Sequence, residues 1–242
     1  MNKRPDYLNM KSDQHNHSAN HTPSQEYAAE YREILNVDGQ KVLRNTYMLL
    51  SLTLLFSSAV AALSIMFDWP HPGLILTLVG YFGLLFFVEK TKNSAMGLVA
   101  VFALTGFMGL TLGPIVNMYL SLPNGIELVS MALGATGLIF VTMSGWVLAT
   151  GKELSGWGKS LTVGILLAFV LGIGAIVFQM PVLSLAVSGM FVILMTGLIA
   201  YQTSAIIHGG ETNYISATVT LFVSLYNLFL SLLQIFGVMG DD

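Results

Sequence analysis

The sequence predicts an all-α, polytopic membrane protein with seven spanning helices, and three observations carry that reading. Apolar stretches of spanning length recur along the 242 residues, only 10% of which are charged, against about 25% for an ordinary soluble domain. The connections between those stretches are a few residues long, which leaves no room for a soluble domain after Lys41. The ten Lys and Arg residues fall in only three places: Lys3 to Arg44, Lys90 and Lys92, and Lys152 and Lys159. They lie before the first apolar stretch, after the second and after the fourth. Lys and Arg are retained on the cytoplasmic side during insertion, so this every-second-loop pattern sets the N-terminus inside.

Residues 1–40 read as a cytoplasmic, largely disordered tail, and 41–242 as the transmembrane domain. Its stretch 13–24 has no aliphatic residue larger than Ala19 and cannot bury enough surface to order itself. Residues 25–36 suit a short helix with Ser24 as N-cap. No apolar h-region precedes the first span, so a cleaved signal peptide is not expected and that span directs insertion.

Crossing about 30 Å of hydrocarbon takes about 20 apolar residues. Seven stretches qualify: 46–67, 73–88, 95–120, 128–150, 161–178, 182–207 and 214–237. The second is short and extends at both ends, through Pro72 and Glu89. The seventh has no flanking Lys or Arg, so the charge rule is silent on it. Its length favours crossing, which puts Asp241 and Asp242 outside. No internal repeat of the kind that builds many transporters is detectable.

The composition also excludes chemistries. The chain has no cysteine, hence no disulfide, thiolate metal site or Cys nucleophile. A charge at the centre of a spanning helix costs about 2.5–3.5 kcal/mol and calls for a functional reason. All thirteen acidic residues instead fall in the tail, at loop positions such as Asp68, Glu127 and Glu211, or at the C-terminus. A proton-coupled pump is disfavoured. No Ser-His pair, His-Glu-x-x-His motif or paired membrane Asp suggests hydrolysis, and no cofactor is implied. The small net charge of −3, with basic residues spread over three stretches, does not favour nucleic acid. The partner surface is the lipid bilayer. His15, His17 and His21 lack neighbouring carboxylates and read as solvated tail residues, not as a metal site.

What remains at membrane depth is neutral and polar: Asn117, Gln202, Thr203, Ser224, Asn227 and Gln234. Ser224, Asn227, Ser231 and Gln234 follow one another at helical spacing on one face. Such residues ordinarily hydrogen-bond between helices; the sharper reading is a polar seam lining a narrow permeation route. Gly109-x-x-x-Gly113, followed by Pro114, and the pair Gly134 and Gly137 suggest thin helix faces for close packing. Pro114 is also a candidate kink. The turn His208-Gly209-Gly210-Glu211 combines a helix end with an imidazole able to titrate near neutral pH.

Four stretches carry a resemblance. Lys41-Val-Leu-Arg-Asn-Thr-Tyr, Pro72-Gly-Leu-Ile-Leu-Thr-Leu-Val-Gly, Leu112-Gly-Pro-Ile and above all Ile206-Ile-His-Gly-Gly-Glu-Thr-Asn-Tyr-Ile resemble the Bax inhibitor family of seven-helix membrane proteins. The likeness is to its bacterial branch of FtsH modulators and runs from about Lys41 to Gly237. It implies a last helix surrounded by the other six. It also implies a bacterial inner-membrane protein that binds the ATP-dependent membrane protease FtsH and restrains it as a slowly degraded substrate, in company with prohibitin-like associates. Other members of the family are calcium leak channels gated by an acidic residue in each of the last two helices. Those positions fall here on Gln202 and Ser224, neither of which can titrate. An ion leak channel is the alternative reading, without its usual pH-sensing pair.

Overall fold

The computed structural model describes residues 23–240, with side chains from 38 onward. The histidines of the tail and the terminal Asp241 and Asp242 lie outside the described residues. Seven helices follow in order: α1 Pro23–Met66, α2 Leu74–Thr91, α3 Met96–Leu120, α4 Gly125–Thr150, α5 Gly158–Val177, α6 Pro181–Ile207 and α7 Tyr214–Met239. A single 3₁₀ turn, Ser155–Trp157, leads into α5. All seven are long and apolar enough to cross a membrane, the first over Asp38–Met66.

α1 is longer than the sequence suggests. The short helix expected over 25–36 is the front of one continuous 44-residue helix, and Ser24 lies inside it instead of capping it. The one potential breaker, Gly39, is used for packing. A Cβ there would stand 3.1 Å from the Ile206 carbonyl oxygen, so its bare backbone lets α1 lie against the end of α6.

α7 is the most buried helix and α2 the least. α1, α3, α4 and α6 pack directly on α7, while α2 and α5 pack chiefly on α3 and α6. Fully buried Leu104, Val101, Ile199, Phe222, Leu228 and Leu233 form the centre. Large apolar side chains that face outward, such as Leu55, Val79, Phe86, Val163 and Ile193, belong to the peripheral helices. On α7 only Val238 and Met239 are large and exposed. In hydrocarbon those outward faces carry no penalty, because lipid tails are as apolar as the side chains themselves.

The pair Gly109 and Gly113 does what its spacing suggests. A Cβ on Gly109 would fall 2.3 Å from the Ser57 carbonyl oxygen, and one on Gly113 2.7 Å from that of Ala61. α1 and α3 therefore cross backbone to backbone. α3 runs through Pro114 without a break. Proline lacks the N–H that would pair with the carbonyl four residues back, and that carbonyl, Leu110 O, accepts instead from Ser64 Oγ of α1 at 3.2 Å. The expectation for Gly134 and Gly137 fails. Nothing lies within 4 Å of a Cβ built on either: these glycines of α4 face open space, since spacing alone does not say which side of a helix meets a partner.

Candidate functional site at the basic face

The loops that carry Lys90 and Lys92, Lys152 and Lys159, and the turn at His208 lie at the same end of the bundle, because α1, α3, α5 and α7 run one way and α2, α4 and α6 the other. We call this end the basic face. Lys92 pairs with Glu89, Lys41 lies 3.9 Å from Asp38, and the Lys152 ammonium sits 5.6 Å from the Trp146 ring centre. Lys90 and Lys159 are exposed.

The turn after α6 is built by its glycines. Gly209 adopts φ 74°, a left-handed conformation that favours glycine. Gly210 N–H then reaches back to Ala205 O at 2.8 Å and Gly209 N–H to Ile206 O at 3.3 Å. This is the double bond pattern of a Schellman ending, which satisfies the last carbonyls of the helix. His208 is exposed, and its Nδ1 lies 2.9 Å from Ser204 O. Glu211 Oε1 accepts from Asn213 N–H at 2.8 Å. All four residues of the predicted turn thus have structural roles.

Two residues that the sequence reading passed over hold this face together. Ser204 Oγ accepts from Leu154 N–H and donates to Lys152 O, both at 2.9 Å, fastening the α4–α5 loop to α6. Asn213 caps α7, accepting from the N–H groups of Ile215 and Ser216. Its Nδ2 also donates to Lys92 O at 3.2 Å and Asn93 Oδ1 at 2.8 Å. Asn213 was findable, since an Asn directly before an apolar run is an N-cap signal. Its partner across the bundle was not.

The proposed seam divides. Gln234 bridges α7 to α6: its Oε1 accepts from Ser188 Oγ at 2.6 Å and its Nε2 donates to Ser184 Oγ at 2.7 Å. Ser224 Oγ donates to Thr220 O in its own helix, and Asn227 Nδ2 donates to Val223 O. Asn227 lines a cavity of about 220 Å³ with Thr77, Tyr81, Thr111 and Tyr226 among apolar neighbours. Thr203 Oγ1 lies 3.2 Å from Ser144 Oγ of α4. Gln202 is 5% exposed, and its Nε2 has no partner. Ser231 is buried.

The Gln234 bonds also set the register between α6 and α7, placing residue 234 level with residues 184–188. Gln202 is then level with about Thr218, whose Oγ1 reaches Thr46 O of α1 at 3.3 Å. Ser224 lies six residues farther along, about 9 Å at the helical rise of 1.5 Å per residue. Gln202 and Ser224 are therefore offset along the bundle. Among the described residues no group of three or more His, Asp or Glu comes together to hold a metal.

A bundle of seven spanning helices packed about a buried α7, with many of its polar groups bonded at helix ends and crossings, defines a polytopic membrane protein. Residues 39–241 match the family described as inhibitor of apoptosis-promoting Bax1, and the chain belongs to that family. It is 52% identical over 202 residues to the Modulator of FtsH protease YccA of Escherichia coli K12, covering 84% of this chain and 92% of the relative. It is 50% identical over 214 residues to an uncharacterised protein of Pseudomonas aeruginosa, covering 88% and 94%. With an uncharacterised membrane protein of Vibrio cholerae the identity is 39% over 208 residues, covering 85% and 93%.

Proposed function

We propose that this chain is a bacterial inner-membrane regulator that binds the membrane protease FtsH and restrains its action on other membrane proteins, itself being degraded slowly. The observation that carries the reading is the 52% identity with the Escherichia coli FtsH modulator, sustained over 92% of that protein. The charged residues of the spanning segments, Asp38, Lys41, Arg44, Glu89, Lys90, Glu127 and Lys159, sit near segment ends and not at mid-membrane depth. That argues in the same direction, toward binding and away from transport. On this reading the basic face is cytoplasmic, where the first 24 residues supply the apolar-poor segment a pulling protease can grip. Prohibitin-like associates are expected in the same assembly, as the family resemblance implies.

The test is co-purification. Tagged full-length chain extracted from bacterial membranes should bring down FtsH, and its overproduction should lengthen the lifetime of a second FtsH substrate in the membrane. Deleting residues 1–24 should lengthen the chain's own lifetime while leaving insertion intact. Failure to recover FtsH, with substrate lifetimes unchanged, would sink the reading.

A further inference from the structure

α1 and α4 stand on either side of α7, and between them lies a cavity of about 530 Å³. Toward the basic face it is closed by Tyr47 of α1 meeting Phe140 of α4 edge to face, with ring centres 5.7 Å apart. Its back is formed by Val116 of α3 and by Phe222, Leu225 and Phe229 of α7. Its mouth opens sideways past Leu55 and Leu133, which are 68% and 58% exposed. The α1 wall runs from Leu54 to Ile65, about 16 Å at the helical rise. That is about half of the hydrocarbon thickness, in the half away from the basic face.

The lining is nearly all apolar, and three of its four hydroxyls, all but that of Ser57, are spent inside the protein. Ser58 donates to Leu55 O, Thr136 donates to Ala132 O, and Tyr226 shares a bond with Thr111. A cavity of this kind does not hold water, which needs two to four polar partners. Nor does it offer anything to a headgroup. Its volume lies within the range of ligand sites, about 300–1,000 Å³, and its mouth is continuous with the lipid-facing surface of α1 and α4. Gly137 lines it, and a Cβ there would meet nothing within 4 Å.

We propose that this cavity is a binding site for one acyl chain of a bilayer phospholipid, which enters between α1 and α4 and lies against α7. The central helix of the bundle is thereby in contact with lipid. The inference stands on the membrane placement of the helices and not on the protease reading.

The full chain, reconstituted in phosphatidylethanolamine–phosphatidylglycerol vesicles doped with a phospholipid bearing a photoreactive group in its acyl chain, tests it. Irradiation and mass spectrometry should find adducts on Leu225 and Phe229 as well as on outward-facing Val163 and Ile193. Gly137→Leu fills the cavity, and the α7 adducts should be lost while those on Val163 and Ile193 persist. Gly134→Leu adds the same bulk outside the lining and should lose none. Ala62→Phe, on the opposite wall, is a second filling variant. Absence of α7 adducts in the wild-type protein would overturn the proposal. So would α7 labelling that survives filling, or crosslinks from Leu225 and Phe229 to another polypeptide. Should both filling variants misfold, the wild-type adduct map decides alone.

Discussion

Asn213 and Asn93, 120 residues apart in the chain, are joined by a 2.8 Å hydrogen bond from Nδ2 to Oδ1. The same Asn213 side chain caps α7 through its Oδ1, so one residue starts the central helix and ties it to the α2–α3 loop. The amide is suited to both tasks because one end accepts while the other donates.

Asn213→Ala should cost about 0.5–2 kcal/mol for the cap alone, and more for the severed link to Lys92 and Asn93. Asn213→Asp keeps an acceptor for Ile215 and Ser216 but has no Nδ2, so its midpoint should fall between wild type and the alanine variant. Thermal unfolding in detergent checks the order. An aspartate variant no more stable than the alanine one would show that the cap contributes nothing.

How much of this was legible in the sequence depends on whether a feature is local. The seven spans and the Gly109–Gly113 crossing follow from runs and spacings along single helices. Gly134 and Gly137 have much the same look but meet no partner helix, because the facing of a helix is settled by its neighbours. The partners of the polar stripe on α7 were no more legible: Ser224 and Asn227 bond within their own helix, while Gln234 bonds to α6. Ser204 had no signal, since its partners are backbone groups of a loop 50 residues earlier.

Ser64 and Pro114 should be energetically coupled. With Pro114 in place, Ser64→Ala leaves the Leu110 carbonyl without a donor. In a Pro114→Ala background that carbonyl regains its own helix partner, and the serine should matter less. A double-mutant cycle measured by unfolding should give a coupling of about 0.6 kcal/mol, the average for interhelical bonds in a membrane protein, and no more than about 1.7 kcal/mol. Strict additivity would remove the assigned role of Ser64.

Two neighbours on α6 should respond in opposite ways. Ser204→Ala strands the N–H of Leu154, a residue 2% exposed, and should destabilise by about 1–3 kcal/mol. Gln202→Met removes an amide that already lacks a partner and should be neutral or stabilising. Parallel unfolding curves of the two variants decide it, and a Gln202→Met variant weaker than Ser204→Ala would mean that the amide has an unseen partner.

Topology follows from helix directions and Lys placement. Reporter fusions after Lys92 and Lys159 should read cytoplasmic, and a fusion after Asp242 should read the opposite side. A C-terminal reporter on the cytoplasmic side would mean that α7 turns back within the membrane.

Because Gln202 and Ser224 are offset by about 9 Å along the bundle, Asp at both positions should not behave as a carboxylate pair sharing a proton, which requires close approach. Ion flux from liposomes carrying the double variant should follow the single variants with pH, and the wild-type protein should show no acid-pair step. A step present only in the double variant would bring the two positions together.

α1 is a single rod of 44 residues, about 66 Å long, which is far more than the membrane requires. Tension applied at its N-terminal end would first meet the α6 contact at Gly39, then Thr46, where α7 is attached through Thr218, and then the glycine crossing with α3. Those contacts resist as a series of short clasps, and Ser64 at the far end is the last to feel the load. Extraction from that end would have to undo the helix that walls the lateral cavity before reaching any other.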